Sequence, residues 1–207
     1  ENGVRPETAE SVFAEMSDFA KYAFNKSHAA AYAVVAFRTA YLKCHHRREY
    51  MCALLNSVAG DNRRVDLYID DLSRAGIRVL PPDVNESGEG FTVVGDNLRF
   101  GLAAVKNVGG AFAAFIVQER LANGPYTGFE DFLLRTQGRG NVRMLESLVN
   151  CGAMDGFGHP RSRMAAAAES AVQTVAGMNN GVIAGQMGLF DAVGGTDELF
   201  RIDYPDL

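Results

Sequence analysis

Residues 22–42 read YAFNKSHAAAYAVVAFRTAYL. A polar cluster, Asn25-Lys26-Ser27-His28, sits between aromatics and leads into an apolar run broken only by Arg38 and Thr39. A run that is apolar on every side predicts a helix buried in a core. Ser27 is the predicted N-cap, because a serine hydroxyl accepts an orphan amide of the first turn. Lys26 and His28 then flank the positive end of the helix dipole, where anions bind. Two readings follow: an ordinary cap on a structural helix, or a helix end dressed to meet a phosphate.

The words FNKSHAAAY (24–32), YLK (41–43) and EYMCALLN (49–56) resemble the fingers region of the bacterial replicative DNA polymerases, the DNA polymerase III alpha-subunit family. The resemblance continues in order through IRVLPPDVNES (77–87) and LRFGLAAVKNVG (98–109) and covers the chain from about Phe13 to Phe190. It implies the distal part of the fingers, followed by a helix-hairpin-helix region that bears a sliding-clamp-binding peptide. By the same resemblance, Lys26 neutralises a phosphate near the templating end or the incoming nucleotide, and Ser27 and His28 orient it. Arg38 and Lys43 either line the DNA channel or belong to a wet helix end, and Arg47 and Arg48 read as the latter. The family's chemistry rests on palm aspartates that hold two metal ions. No Asp-x-Asp pattern in a strand context is present, since Asp70-Asp71 are adjacent on a predicted helix. The piece is therefore expected to be inactive alone and to hold no cofactor, with Mg2+ confined to the palm of a longer parent.

Net charge is −5, from 20 Lys and Arg against 25 Asp and Glu, so the chain as a whole is no basic nucleic-acid binder. The charge is uneven. Residues 19–58 carry six basic side chains against Glu49 alone, and residues 98–164 carry eight against five acids. Residues 191–207 hold five acids against Arg201. Two basic regions and an acidic tail fit local contact with a phosphate backbone. Three cysteines (Cys44, Cys52, Cys151) form no disulfide framework and point to a reducing, cytoplasmic setting. Cys44-His45-His46 with Cys52 lacks tetrahedral zinc spacing. No apolar run reaches membrane-spanning length and no signal peptide is visible. The chain does not open on Met and is expected to be part of a longer protein.

In chain order, helices are predicted over 1–16, as a packing element, then from the Ser27 cap through Lys43, and over 49–57 and 63–75, with Gly76 as a C-cap. Ile77–Leu80 is a short β-type run stopped by Pro81-Pro82, and 83–90 is loop. A hairpin over 91–100 turns at Gly95-Asp96-Asn97. Helices over 102–106 and 111–120 flank Asn107-Val108-Gly109-Gly110, a helix-hairpin-helix element. Its glycines let backbone amides approach a DNA phosphate, with Lys106 and the dipole of the second helix assisting. The same Val-Gly-Gly turn also serves as a plain connector. After a short helix over 129–135, a second unit follows: helix 141–150, a turn at 151–155, and a helix from Arg161. There Arg161 and Arg163 are the candidate phosphate contacts, the alternative being a solvated helix start. Helix is predicted to stop at Gly177, with a flexible linker after it.

Gln186-Met187-Gly188-Leu189-Phe190 follows that linker. An exposed Leu-Phe pair on a tether is costly unless a partner covers it. The pattern resembles the sliding-clamp-binding peptide of bacterial replication proteins. That resemblance makes Gln186 the polar anchor and Leu189 and Phe190 the apolar hot spots, with Met187 between them. Gly188 departs from the more usual Ser or Asp.

The fold class expected is mainly α. Helical fingers occupy 1–80; a small β-hairpin and tandem helix-hairpin-helix occupy 81–176; linker, clamp peptide and acidic tail occupy 177–207. The expected function is part of a bacterial replicative DNA-directed DNA polymerase. Its expected partners are primer-template DNA, the sliding clamp and other replicase subunits. The rival is a non-catalytic helix-hairpin-helix module that scaffolds DNA or a partner.

Overall fold

The computed structural model describes residues 3–21, 25–136, 139–180 and 201–205. Two compact units are present, 1–47 and 48–207. The first holds α1 (Pro6–Lys21) and α2 (Lys26–His45). Pro6 starts α1, where its missing N–H costs nothing. No residue of α2 is buried. Val34, Val35, Phe37 and Tyr41 of α2 and Phe13, Met16 and Phe19 of α1 are all at least half exposed. This corrects the expectation of a core helix and a packing helix. Apolarity on every side says that a helix needs cover, not which element supplies it.

The second unit opens with α3 (Arg47–Ser57) and α4 (Asn62–Arg74). Asp61 caps α4, its side chain accepting from the Arg64 amide, and Gly76 follows the helix at a φ of +76°. Strands β1 (Val79–Leu80), β2 (Thr92–Val94) and β3 (Asn97–Arg99) form one sheet in the order β1-β3-β2. The predicted hairpin is β2–β3, antiparallel with Val93 opposite Leu98. Gly95, at φ +56°, makes its turn. The parallel pairing of β1 with β3, Val79 opposite Leu98, was not foreseen. Two residues are too few to show a period, and the partner lies nineteen positions on.

A 3₁₀ turn, Leu102–Ala104, leads to α5 (Gly110–Asn123), α6 (Phe129–Thr136) and α7 (Val142–Asn150). A second 3₁₀ turn, Asp155–Phe157, leads to α8 (Arg161–Asn180). The first helix of the first hairpin is thus one 3₁₀ turn rather than a helix over 102–106. Helix α8 passes through Gly177, which corrects the linker's predicted start. A helical glycine costs about 1 kcal/mol and does not by itself end a helix.

Two apolar clusters hold this unit. Met51, Leu55, Val65 and Leu72 of α3 and α4 pack with Phe91 and Leu98 of the hairpin. Leu102, Phe112, Ile116, Phe129, Phe132, Leu148 and Met164 head the larger one, to which α8 adds Ala168, Ala171 and Val175. Phe100 packs against both, 4.7 Å from the Phe91 ring. The predicted division at 80–81 falls inside this unit, because α3 and α4 share their core with the sheet.

The chain between the clusters, 83–90, has little regular structure but dense bonding. Asn56 accepts from the Phe91 amide at 2.7 Å and donates to its carbonyl at 3.0 Å. Asn85 does the same for Tyr126, at 2.7 and 2.8 Å. Gly90 and Gly101 cross so closely that a Cβ on Gly101 would stand 2.2 Å from the Gly90 carbonyl carbon. Asn56→Ala removes both bonds to Phe91 and is expected to cost about 2–3 kcal/mol. Leu121→Ser, at a residue 76% exposed, is expected to stay within about 0.5 kcal/mol of wild type. Urea unfolding of the two variants measures the contrast.

Candidate nucleic-acid interface

The first hairpin turn is set by Asn107 rather than by its glycines. Asn107 is the sole non-glycine residue at positive φ among those described, at +67°, a conformation Asn tolerates. Its side chain donates to Ser147 Oγ at 3.0 Å and so fixes the turn on α7. Gly109 has an ordinary extended backbone, φ −73° and ψ 153°, and precedes α5 without any side-chain cap. A Cβ on Gly109 would meet nothing within 4 Å. On Gly110 it would meet only the Glu89 carboxylate, at 3.6 Å. No intramolecular crowding therefore demands glycine at either position. Lys106 is exposed beside this turn and lines a shallow groove with Pro82, Phe100, Val105, Ser147 and Asn150.

The second hairpin is held from within. Gly152 turns it at φ +85°. Arg161 donates through Nε to Asp155 Oδ1 at 2.7 Å, through Nη2 to Asp155 Oδ2, and through Nη1 to the Asn150 carbonyl at 3.3 Å. These hydrogen bonds hold the Asp155 carboxyl below its usual range. Arg161 thus closes the second hairpin, a role that spacing did not reveal. Asn150 lines the groove beside Lys106, so the two hairpins lie side by side. Arg163 is part-exposed on the first turn of α8.

Other basic residues of this region are likewise engaged within the chain. Arg120 donates to the carbonyls of Val84 (2.6 Å) and Ser87 (2.9 Å). Arg135 joins Glu119, Asp131 and the Gly124 carbonyl, its guanidinium 4.3 Å from the Tyr126 ring centre. Burial pushes the Tyr126 phenol up to about 12. Arg99 bonds the Pro81 carbonyl and Glu86.

In the first unit Asn25, not Ser27, caps α2, accepting from the Ser27 amide at 2.9 Å. The helix starts two residues earlier than a Ser27 cap would give, so Ser27 lies inside the first turn. Lys26, Ser27, His28 and Arg38 are exposed and Lys43 is half-buried. The His28 ring stands 4.3 Å from Tyr32, one turn on. Arg48, read as part of a wet helix end, instead holds the hairpin turn through the Gly95 carbonyl (3.0 Å) and Asp96. The α2 group and the hairpin group belong to different units. Gln186, Met187, Leu189 and Phe190 lie outside the described residues. Among the described residues no group of three or more His, Cys, Asp or Glu could hold a metal ion, and no helix is long and apolar enough to cross a membrane.

Two helical hairpins packed side by side over one core define a helix-hairpin-helix protein, and residues 76–164 match the family described as helix-hairpin-helix motif. Across 96% of its length the chain is 44% identical to the DNA polymerase III subunit alpha of Saccharopolyspora erythraea, covering 16% of that relative. It is 46% identical over 93% of its length to the same subunit of Thermus aquaticus, again 16% of the relative. With that of Mycobacterium tuberculosis it shares 41% identity over 99% of its length and 18% of the relative. The chain belongs to the DNA polymerase III alpha-subunit family, and it spans less than a fifth of the length of these curated relatives.

Gly152→Ala would place a Cβ 2.3 Å from Arg161 at a positive φ, so it is expected to destabilise by about 1–3 kcal/mol in thermal unfolding. The lowered Asp155 pKa contributes stability that is present above the unfolded carboxylate value and lost as pH falls through the folded one. Asp155→Asn is therefore expected to unfold earlier than wild type at pH 7, with the difference closing below about pH 4. Urea midpoints across that range check it.

Proposed function

We propose that the chain is part of a bacterial, cytoplasmic replicative DNA-directed DNA polymerase, in which it holds primer-template DNA and tethers the enzyme to the sliding clamp. The observation that carries this reading is similarity to DNA polymerase III alpha subunits along almost the whole chain. The polymerase's metal-dependent chemistry belongs to residues outside this chain.

The first hairpin supports the DNA-binding part. An uncapped helix start, two glycines that no neighbour requires, and an exposed Lys106 suit a phosphate that approaches along the backbone. Such contacts grip without reading base sequence. Arg161 is assigned to the hairpin's own closure rather than to phosphate, and Arg163 remains a candidate contact. Lys26, Ser27 and His28, at the exposed start of α2, are the proposed contacts near the templating end or incoming nucleotide, with Arg38 and Lys43 along the same helix. Gln186, Met187, Leu189 and Phe190 are the proposed clamp contacts, carried by the pattern of the sequence. Other replicase subunits are further proposed partners.

Gly109→Ala tests the DNA contact with little effect on folding, since the backbone there is open to alanine and a Cβ meets no atom. Its stability is expected to hold, while duplex DNA binding weakens about tenfold, the value of one lost charge-assisted bond. Lys106→Ala is expected to weaken binding equally across sequences and to flatten the salt dependence by about one ion. Fluorescence anisotropy with labelled duplexes at several salt concentrations reads both. Unchanged binding by both variants would remove the first hairpin from the interface.

Clamp binding is tested on the 207-residue chain with a purified bacterial sliding clamp. Micromolar affinity, about −8 kcal/mol, is expected for the wild-type chain, with loss in Leu189→Ala/Phe190→Ala. Absence of wild-type binding removes the tether and leaves the polymerase reading on the sequence similarity alone.

A further inference from the structure

The groove beside Lys106 joins three pieces of chain. Pro82 and Phe100 lie just past the ends of β1 and β3, Val105 and Lys106 belong to the first hairpin, and Ser147 and Asn150 to α7. Its volume is about 500 Å³, within the roughly 300–1,000 Å³ of small-ligand sites. The apolar residues are fixed in place before anything binds. The Phe100 amide donates to the Leu80 carbonyl at 3.0 Å, the Phe100 carbonyl accepts from Ser87, and the ring lies 4.7 Å from Phe91. Pro82 and Val105 are buried. The polar residues have capacity to spare. Ser147 and Asn150 stand three positions apart and so share one face of α7. Ser147 Oγ accepts from Asn107 Nδ2 at 3.0 Å, which leaves its own proton to donate. The Asn150 carbonyl is taken by Arg161, but its side-chain amide has no partner among the described residues. Lys106 is exposed and has no ion-pair partner among them either.

An apolar surface, a hydroxyl, an amide and one cation together match one chemical class. A nucleobase offers a face to the apolar residues, donors and acceptors on its edge to Ser147 and Asn150, and a phosphate one sugar away to Lys106. An aliphatic side chain of a peptide would cover Phe100 and Val105 but leave the Asn150 amide unanswered. Inside a duplex the base faces are stacked and the pairing edges are taken, so a paired base does not enter such a groove. We propose that the groove between the two hairpins seats one unpaired nucleotide of the DNA strand whose phosphate the first hairpin holds. The choice of DNA as the ligand rests on the reading given under the proposed function. The turn and the groove share the Asn107–Ser147 bond, so backbone grip and base seat are set by the same contact. The hairpins thereby distinguish a strand with an unpaired end from a continuous duplex, which backbone contacts alone do not do.

Asn150→Ala is the test, on the 207-residue chain, because it removes an exposed amide and keeps the carbonyl that Arg161 holds. Fluorescence anisotropy compares three labelled probes: a blunt duplex, the same duplex with an overhang of one unpaired nucleotide, and that overhang made abasic. Wild type is expected to bind the overhang about tenfold more tightly than the blunt duplex, the value of one stacked base. The abasic probe is expected to bind no more tightly than the blunt one. Asn150→Ala is expected to lower the overhang preference about threefold, the value of one hydrogen bond, with blunt-duplex affinity unchanged. Lys106→Ala is expected to weaken all three probes and to keep their ratio. A preference that survives Asn150→Ala in full, or an abasic probe that binds as tightly as the intact overhang, overturns the seat and leaves the backbone grip standing. Equal wild-type affinity for overhang and blunt duplex also overturns it and leaves the groove to an apolar peptide side chain. No binding of any probe overturns the DNA reading itself, and the seat with it.

Discussion

The fold of the second unit depends on a stretch with little regular structure of its own. Residues 83–90 run beside the two apolar clusters, with Val84 and Ser87 buried, and each backbone group they bury must find a partner. Side chains and neighbouring backbone share the task. Ser87, fully buried, accepts from the Asp83 amide at 3.0 Å and donates to the Phe100 carbonyl at 2.8 Å. Arg120 closes the carbonyls of Val84 and Ser87. The amides of Leu102 and Ala103 bond back to Gly88 and Glu89. The first hairpin therefore begins at a position fixed by this stretch, and Asn107 then locks its turn onto α7. The orientation of Lys106 and the start of α5 is a consequence of that chain of bonds, not of the hairpin alone.

Two asparagines extend the same logic. Asn56 and Asn85 each face both backbone groups of one residue, so an amide side chain takes the place of a neighbouring strand. Composition reads 83–90 as loop because Asp, Asn, Ser and Gly dominate it, and that is correct locally. What composition misses is that a polar loop with partners for its backbone can lie between cores. The helices of the second unit were legible because α4 and α7 each carry a single apolar face. The hairpin was legible from Gly95 between two β-type runs. Strand β1 was not, since its two residues acquire strand identity only from β3.

The candidate site divides along the same line. Lys106, Asn107, Gly109 and Gly110 were legible as one turn from their sequence order. Their division of labour was not: Asn107 carries the positive φ and the glycines carry openness. Ser27 was assigned the cap because it is a favoured capping residue, yet Asn25 is equally favoured and stands where the backbone is still extended. The burial assigned to α2 failed for a different reason. A sequence shows how much surface a helix must cover, and among the described residues of 1–47 none buries it.

Charge is where counting misleads most. Residues 98–164 carry eight basic side chains, and four of them, Arg99, Arg120, Arg135 and Arg161, are spent on carbonyls and carboxylates of the same unit. The planar guanidinium suits that task, because its fork of donors can satisfy two or three acceptors at once and needs little water to stay charged. The lysine of the set, Lys106, with a single flexible ammonium, stays outside. Those four guanidiniums are therefore committed to the unit's own structure rather than to a broad basic face. The phosphate contact proposed for the first hairpin rests on local geometry instead: backbone amides at an uncapped helix start, Lys106 beside them, and no Cβ in the way. The Glu89 carboxylate near Gly110 makes that dependence stricter, since it repels an anion that strays from the amides of the turn.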